Sequence, residues 1–392
     1  MGHYEHWQED LAVARDLGVR ALRWGVPWYR VEPQHGKFDW SWTDRVIPYI
    51  VEELGITPII DLMHYGCPFW LRREFVNPRY PRYVADYAAA FARRYRDLVH
   101  WYTPLNEPLV NALFCGQRGA WPPYLHGDKN YLRILVQLAR GIVNTVNAIR
   151  EIDPGAIMVH VEATGLTRAM RQDLEALAVE ETRRGYLCYD LITGRVTPDH
   201  ALFAWLLREG IALDDLAALW TSPIDLDIMG MNFYPQWSSQ GIDLHQKNGR
   251  VTFSNYEDLA GEGFAMLIRD YYDRYGVPII ISETSARGSD AVRERWLEAS
   301  VATIKRLRGE GVPVIGYTWF PLYTMIDWRY RWEKGPLRDY YLNLGLYTLD
   351  DCTDNGQSRW RATPLVGLMR HYISHSEEAV GPLSMEGVLQ FA

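Results

Sequence analysis

Short apolar segments recur along the chain, and each is followed by a longer amphipathic stretch. The short segments are nearly continuous in hydrophobicity, which is typical of strands buried on both faces of a parallel sheet. They predict seven strands: VRALRWG (19–25), ITPIIDLM (56–63), LVHWYTPLNEP (98–108), AIMVHVEA (156–163), DLDIMGMNFY (225–234), VPIIISET (277–284) and VPVIGYTWF (312–320).

The amphipathic stretches between these segments predict helices. The clearest cover residues 81–98, 128–153 and 289–311. Ser289 is the expected N-cap of the third helix, and Gly311 is expected to end it. Three strand segments begin just after a glycine that would stop the preceding helix, in LGITPII, YGVPIII and EGVPVIG, as in a repeating βα unit.

Repetition of strand and helix over this length predicts an α/β fold, a (β/α)8 TIM barrel, which takes about 250 residues or more. An open doubly wound sheet is the alternative. It would carry a nucleotide fingerprint, and GEGFAM at 261–266 lacks the third glycine and follows no predicted strand. Because the chain opens on the helical stretch HWQEDLAVARDLG, we expect the first barrel strand to be missing or non-standard. No Gly-, Ser- or Pro-rich linker divides residues 1–392, so we expect a single domain.

Composition and charge narrow the classes of function. The chain has 392 residues, is 48% hydrophobic and 23% charged, and carries a net charge of −8. No block of Lys or Arg occurs, so we expect no nucleic-acid partner. The N-terminus lacks the basic and apolar regions of a signal peptide, and no apolar run reaches the length of a membrane span. We therefore expect no membrane partner and a cytoplasmic protein.

The cysteines and the aromatic residues add two further points. Four widely spaced cysteines form no C-x-x-C, so reduced, buried thiols are expected at Cys67, Cys115, Cys188 and Cys352. The 16 Trp and 25 Tyr fit a large core and a carbohydrate cleft equally well, because both residue types serve in either setting.

Polar side chains follow the apolar segments where the strands are predicted to end. In a barrel of this kind the chemistry lies at the carboxyl ends of the strands. Those ends carry Arg23, His64, Asn106, Glu107, Glu162, Asn232, Tyr234, Glu283 and Trp319. Glu107 and Glu283 each end an otherwise apolar strand. One such glutamate could form a structural ion pair, but two across one barrel mouth match the proton donor and the nucleophile or base of glycoside hydrolysis.

The neighbours of the two glutamates fit that chemistry. Arg23 is expected to hold an ionised Glu283 by charge-assisted hydrogen bonds, and Tyr234 is expected to donate to the same carboxylate. Asn106 suits a sugar hydroxyl, and Trp319 suits a stacking floor beneath a sugar ring.

Other catalytic chemistries lack their motifs. His64 either bonds a ring hydroxyl or is a satisfied core histidine, which is the commoner case. His3 and His6 form an isolated H-x-x-H, which we assign to the surface. No H-E-x-x-H, G-x-S-x-G or Walker motif occurs, so we expect neither a metal nor a cofactor.

Several motifs occur in a recognisable order between residue 3 and about residue 350. The opening segment, HYEHWQEDLAVARDLGVRALRWGVPWYRVEP, is followed by DLMHYGCPFWL, LNEP, MGMNFYP, IIISETSARG and GYTWFPLYTMIDW. Together they resemble glycoside hydrolase family 1, the β-glucosidase and β-galactosidase family within the clan of retaining TIM-barrel glycosidases. The matching positions include Arg23, Trp28, Arg30, Pro33, His64, Pro68, Trp70, Asn232, Tyr234 and Glu283.

This resemblance implies a retaining β-glycosidase with a carbohydrate substrate. It assigns Glu107 as the acid/base and Glu283 as the nucleophile. The sugar contacts that it assigns are the 2-hydroxyl to Asn106, the 3-hydroxyl to His64, and the 4- and 6-hydroxyls to Asp327 and Trp328.

The chain also departs from the family pattern. Pro104 replaces a Thr, SETS replaces TENG, and Asp327 stands where Glu is usual, in a motif with one extra residue and without its Asp-Asn pair. The family's first strand, which carries a sugar-binding Gln, is not recognised. The alternatives are a transglycosidase or a glycosidase acting on an unusual sugar, and a degenerate barrel that binds sugar or a partner protein without turnover. The intact Glu107 and Glu283 favour catalysis.

Overall fold

The structure is a computed structural model that describes residues 2–245, 249–349 and 360–375. Its strands are β1 (Ala21–Gly25), β2 (Thr57–Asp61), β3 (Trp101–Thr103), β4 (Ile157–Ala163), β5 (Leu166–Ala169), β6 (Ile228–Asn232), β7 (Ser239–Leu244), β8 (Val251–Asn255), β9 (Ile279–Thr284), β10 (Val314–Trp319), β11 (Met325–Ile326), β12 (Tyr341–Leu342), β13 (Tyr347–Leu349) and β14 (Trp360–Ala362). Seven of them form a parallel sheet in the order β1-β2-β3-β4-β6-β9-β10. Each predicted segment contains one of these seven strands, so the predicted α/β barrel is confirmed.

Helices connect the strands and cover the outside of the sheet. They are α1 (His3–Leu17), α2 (Trp28–Val31), α3 (Thr43–Pro48), α4 (Tyr80–Tyr95), α5 (Pro108–Ala112), α6 (Asp128–Arg150), α7 (Glu175–Arg184), α8 (Leu187–Ile192), α9 (Phe203–Arg208), α10 (Leu213–Thr221), α11 (Glu262–Tyr275), α12 (Asp290–Gly309) and α13 (Leu365–Ser374). The three clearest predicted helices are α4, α6 and α12. Ser289 occupies the N-cap position of α12, but its hydroxyl makes no capping hydrogen bond.

The sheet is buried on both faces, which explains why its strands are continuously apolar. On β9, Ile280 belongs to the apolar cluster inside the barrel, whereas Ile279 and Ile281 belong to the larger cluster beneath the helices. This is the alternation of side chains expected along any strand. The inner cluster consists of Ile59, Trp101, Ile157, Val159, Val161, Ile228 and Ile280.

One glycine is required by the packing inside the barrel. A Cβ added to Gly230 of β6 would lie 2.7 Å from Cγ2 of Val161 and 3.0 Å from Oγ of Ser282. Real Cβ atoms are essentially never found closer than 3.0 Å to another heavy atom, so the neighbouring side chains would have to shift. The glycine thus leaves room for the side chains of Val161 on β4 and Ser282 on β9.

The sheet has two edges, β1 and β10, and within the described ranges they are not hydrogen-bonded to each other. Residues along β1 and β10 are partly exposed, whereas those of β6 and β9 are fully buried. A cavity of about 480 Å³ lies between the two edges. It is lined by Ala21 and Leu22 on one side, by Ile315 and Gly316 on the other, and by Ile59 and Ile280 from the barrel interior. We call this gap the seam.

Smaller sheets follow the carboxyl ends of the barrel strands. Strands β5, β7 and β8 form a three-stranded sheet, while β11 pairs with β12 and β13 with β14. Across the described parts of the chain, no helix combines the length and the apolar character needed to cross a bilayer. Cys115 and Cys188 are buried free thiols and Cys67 is half-buried, whereas Cys352 lies outside the described residues.

Candidate active site

Glu107 follows β3 in an unusual backbone conformation. Its φ is +45°, in the left-handed region that residues other than glycine seldom adopt. Pro108 begins α5 immediately afterwards, and the buried Asn111 of that helix donates to the main-chain oxygens of Asn106 and Glu107, at 3.0 and 3.1 Å. The unusual turn is therefore held by hydrogen bonds from the next helix, and it sets the direction of the Glu107 side chain.

Both carboxyl oxygens of Glu107 accept hydrogen bonds from uncharged donors. Asn232, at the end of β6, donates from Nδ2 to Oε1 at 2.8 Å. The hydroxyl of Tyr65, in the loop after β2, donates to Oε2. The Glu107 residue is only 8% exposed, so these two donors replace most of its contact with water.

Glu283 is turned into the same space by an irregularity in the sheet. The pairing of β9 with β6 shifts between Met231 and Asn232, and the pairing with β10 shifts as well. A bulge of this kind redirects side chains, and bulges are common next to active sites. Glu283 forms an ion pair with Arg23 and accepts a hydrogen bond of 2.6 Å from the Tyr234 hydroxyl. Both contacts were predicted from the sequence.

Arg23 links Glu283 to the other half of the site. Its Nη1 donates to Oδ1 of Asn106 at 2.9 Å and to Oδ2 of Asp61 at 2.8 Å. The same Asp61 oxygen lies 2.9 Å from Nδ1 of His64. Asp61 was not predicted from the sequence, although it is 1% exposed and ends β2 after two isoleucines. It shows the same sequence pattern as the two glutamates, a carboxylate at the end of an apolar strand.

A third glutamate lies behind Glu107. Glu162 is fully buried at the end of β4, and its Oε1 accepts hydrogen bonds from the backbone N–H groups of Ala163, at 2.9 Å, and Leu109, at 3.3 Å. Burial first, and then the nearby Glu107 carboxylate, raises the pKa of Glu162 well above its usual range. Both effects favour the neutral form of Glu162, which would otherwise add a second charge beside Glu107.

The two tyrosines of the site also keep their protons. Burial, followed by the charge of Glu107, raises the pKa values of Tyr65 and Tyr234 well above the usual range. Both phenols therefore act as hydrogen-bond donors to the carboxylates. Tyr65 was not predicted from the sequence, because it lies in the loop after β2 and not at the end of an apolar strand.

The remaining predicted residues lie around these two carboxyls in different settings. Asn106 is fully buried, and its Nδ2 lies 3.3 Å from Nε2 of His64. Trp319 is also buried, and its indole N–H donates to the main-chain oxygen of Leu344. Trp328 is half-exposed, with ring centroids 5.2 Å from Trp121 and 6.4 Å from Tyr65.

Asp327 was predicted from the sequence as a sugar contact, and His3 and His6 as surface residues. The carboxylate of Asp327 accepts from the backbone N–H and the guanidinium of Arg329, at 2.9 and 3.1 Å. Partial burial acts to raise the pKa of Asp327, but these bonds and the nearby arginine charges together leave that pKa lowered. His3 was assigned to the surface, but it is half-buried, and its Nδ1 lies 2.8 Å from the buried Asp10 of the same helix, α1. His6 is exposed.

An α/β barrel that gathers two carboxyl groups at the carboxyl ends of its strands, one paired with a cation and one with neutral donors, has the architecture of a glycoside hydrolase. Comparison with known proteins agrees with this class. The sequence model of glycosyl hydrolase family 1 matches residues 1–183, which include Glu107 but not Glu283. The resemblance to glycoside hydrolase family 1 is therefore confirmed.

Individual relatives are distant but cover most of the chain. Beta-glucosidase A of Thermotoga maritima is 24% identical over 363 residues, covering 85% of this chain and 80% of its own. The aryl-phospho-β-D-glucosidase of Bacillus subtilis is 24% identical over 364 residues, covering 80% of this chain and 75% of its own. A solved β-glucosidase from Thermotoga maritima in complex with azafagomine superposes with a TM-score of 0.81 at 20% identity, covering 95% of this chain and 86% of that one. This likeness establishes the shared barrel fold.

Proposed function

We propose that this protein is a retaining β-glycosidase that hydrolyses a β-linked glycoside through a covalent glycosyl-enzyme. One observation carries the proposal, namely the unequal surroundings of the two carboxyl groups. Glu283 is paired with the Arg23 cation and with Tyr234, which favour its ionised form. Glu107 is bonded by an amide and a phenol. A retaining mechanism needs this difference between an ionised nucleophile and a group that exchanges a proton.

In the first step an oxygen of Glu283 attacks the anomeric carbon of the sugar. The bond from that carbon to the leaving oxygen breaks, and Glu107 gives its proton to that oxygen. In the second step Glu107, now a carboxylate, removes a proton from water as the water oxygen attacks the same carbon. The bond to Glu283 breaks, the sugar leaves with its original configuration, and Glu107 is protonated again.

The sugar-binding assignments form part of the same proposal. Asn106 binds the 2-hydroxyl and His64 binds the 3-hydroxyl, and the 3.3 Å separation of their side-chain nitrogens suits two adjacent hydroxyls. Trp319 provides the floor of the site, and Asp327 with Trp328 reads the 4- and 6-hydroxyls. Asn232 acts through its bond to Glu107. We further propose that residues 1–392 form one catalytic domain.

The printed activities of the relatives indicate which sugars to try first. Two of those named above are a β-glucosidase and an aryl-phospho-β-D-glucosidase. We therefore propose aryl β-glucosides, with and without a 6-phosphate, as the first substrates. Aryl β-galactosides belong to the same panel, because a β-galactosidase of Sulfolobus acidocaldarius is 24% identical to this chain.

Covalent trapping tests the proposal directly. Incubation with 2-deoxy-2-fluoro β-glycosides bearing a dinitrophenyl leaving group should add the fluorosugar to the peptide that contains Glu283. The Glu107→Gln variant should still be labelled, because this leaving group needs little acid assistance, whereas Glu283→Gln should not. Absence of both labelling and chromogenic turnover across the panel would refute the enzyme hypothesis. Labelling at a different carboxyl would refute only the assignment of the nucleophile.

A further inference from the structure

We infer that Tyr65 is a positioning residue for the proposed acid/base: its hydroxyl holds the Glu107 carboxylate in one orientation and favours its ionised form. The inference rests on the proposed role of Glu107, but it concerns a contact that can be tested separately. Tyr65 lies outside both the nucleophile pair and the assigned sugar contacts, and its phenol donates to the Glu107 oxygen that Asn232 leaves free.

The backbone at Tyr65 indicates that the position of its side chain is held by the surroundings. Its φ is +61°, in the left-handed region, and the next residue, Gly66, has a φ of +84°. A bulky residue seldom adopts this conformation and keeps it only where surrounding contacts compensate its cost. Here the Tyr65 ring packs against His64 and Trp121, with centroids 4.9 and 4.8 Å away. The hydroxyl is therefore directed by backbone and ring together.

The surroundings of Glu107 show why a donor at this place affects the reaction. Three titratable groups act on Glu107 electrostatically: Tyr65 from the loop after β2, Glu162 from β4 and Tyr234 from the segment after β6. Of these, Tyr65 is the group with a hydrogen bond to Glu107 among the described contacts. The raised pKa of Glu162 favours its neutral form, and its described hydrogen bonds come from the backbone N–H groups of Leu109 and Ala163. Tyr65 is thus placed to stabilise negative charge on Oε2 of Glu107.

The bond also acts differently in the two steps of the proposed reaction. During the first step Glu107 loses its proton, and a donor to Oε2 becomes stronger as negative charge develops there. During the second step the charge disappears again. Tyr65 therefore assists leaving groups that need a proton and has little effect on those that do not.

The variant Tyr65→Phe removes the donor and keeps the ring. Loss of a hydrogen bond to an ionised carboxylate raises its pKa, so we expect the basic limb of the kcat/KM profile to move up by about one pH unit. We also expect kcat/KM to fall about tenfold for aryl glycosides with poor leaving groups and to stay within about twofold for the dinitrophenyl glycoside. A purely structural role would lower kcat/KM equally for both kinds of glycoside and leave the basic limb of the pH profile in place.

The matched control is Tyr87→Phe. Tyr87 is fully buried in α4, and its hydroxyl has no hydrogen-bond partner among the described contacts. Removing that hydroxyl deletes the same atom from a similar environment without touching Glu107. We expect no shift of the pH profile. Thermal unfolding of both variants shows whether either has lost its fold.

A measurement without turnover keeps the inference independent of the proposed function. Infrared difference spectra follow protonation of carboxyl groups, and the band that the Glu107→Gln variant lacks reports Glu107. Its titration midpoint should lie higher in Tyr65→Phe than in the wild type, and it should be unchanged in Tyr87→Phe. An unchanged midpoint in folded Tyr65→Phe would overturn the inference. Lack of turnover by the wild type, with a shifted midpoint, would instead count against the proposed function alone.

Discussion

Glu107, Glu162 and Glu283 carry the same carboxyl group and differ through what surrounds them. Glu283 has a cation and a phenol, Glu107 has an amide and a phenol, and the donors to the buried Glu162 among the described residues are backbone N–H groups. Burial without a cation favours the neutral form of a carboxyl group, whereas a neighbouring arginine favours the ionised form. Three residues of one type can thus take three roles, and the roles depend on neighbours rather than on residue type.

Replacement of Glu162 by Gln tests whether it is protonated in the folded protein. A raised folded-state pKa means that the folded form keeps a proton that the unfolded form releases above about pH 4.5. Wild-type stability therefore falls as pH rises above that value, by at most about 1.4 kcal/mol per pH unit from this group. Glu162→Gln lacks this loss, so its stability relative to wild type should improve steadily as the pH rises above about 5.

Urea unfolding at several pH values provides the measurement. The exposed Glu53→Gln is the control, and its difference from wild type should not change with pH in this way. A Glu162→Gln variant that became less stable relative to wild type as pH rose would mean that Glu162 is ionised in the fold.

Most of the site residues at the ends of apolar strands were predicted from the sequence, but Asp61, which ends β2, was missed. Glu107, Glu283 and Arg23 were predicted because a polar residue after an apolar strand is conspicuous. Tyr65 was not predicted, since it lies in a loop and reaches Glu107 through its backbone conformation, for which a tyrosine gives no sign. The hydrogen bond from Asn232 to Glu107 joins residues 125 positions apart, and only the barrel brings them together.

The strands position the site through departures from regular geometry. The bulge between β6 and β9 turns Glu283 inward, and the absence of a side chain at Gly230 leaves room for the side chain of Ser282. Ser282 donates at 2.6 Å to Oδ1 of Asn232, so packing at the glycine connects directly with the residue that holds Glu107. A side chain added at residue 230 should therefore disturb the hydrogen bonds of Glu107.

The variant Gly230→Ala should disturb this arrangement. Its Cβ would contact Val161 and Ser282 too closely, and overpacking of a core typically costs about 1–3 kcal/mol of unfolding free energy. We also expect lower activity, because Asn232 and Ser282 would move. Gly367→Ala is the control: Gly367 lies in α13 with open space around it, and alanine in a helix stabilises by about 0.5–1 kcal/mol. Chemical unfolding with parallel assays separates the two cases, and equal stability of the two variants would contradict the packing argument.

Prediction from sequence was most successful for the elements. All seven barrel strands and the three clearest helices lie where the hydrophobic pattern places them, because a sheet buried on both faces imposes continuous apolar segments. The register shifts at β9 were not predictable, since a bulge depends on the pairing of three strands that are distant in sequence. The small sheets that follow β4, β6 and β10 were not predicted either, because their strands are short and partly exposed.

At the scale of the whole molecule the seam is the feature that departs most from a closed barrel. Strands β1 and β10 each pair on one side, whereas β4, β6 and β9 pair on both. Edge strands have backbone groups without a strand partner, and they open more easily than central strands. The helices α1, α12 and α13 line the cavity at the seam from the outside.

Hydrogen exchange should reveal this difference. Amides of β1 and β10 should exchange faster than those of β4 and β6, because fewer hydrogen bonds must break to expose them. Mass spectrometry of peptic fragments covering residues 19–25 and 312–320, against 156–163 and 225–234, provides the comparison. Equal protection at the edges and at the centre would show that the two edges are covered in solution.

The ion pair between Arg23 and Glu283 connects the two sides of the seam. Arg23 lies on edge strand β1, and Glu283 lies on β9, which is the neighbour of the other edge strand, β10. In the proposed reaction Glu283 loses its charge while it is bonded to the sugar, and the ion pair with Arg23 then loses its electrostatic attraction. The electrostatic attraction that ties β1 to β9 would thus be lost and restored once in every turnover.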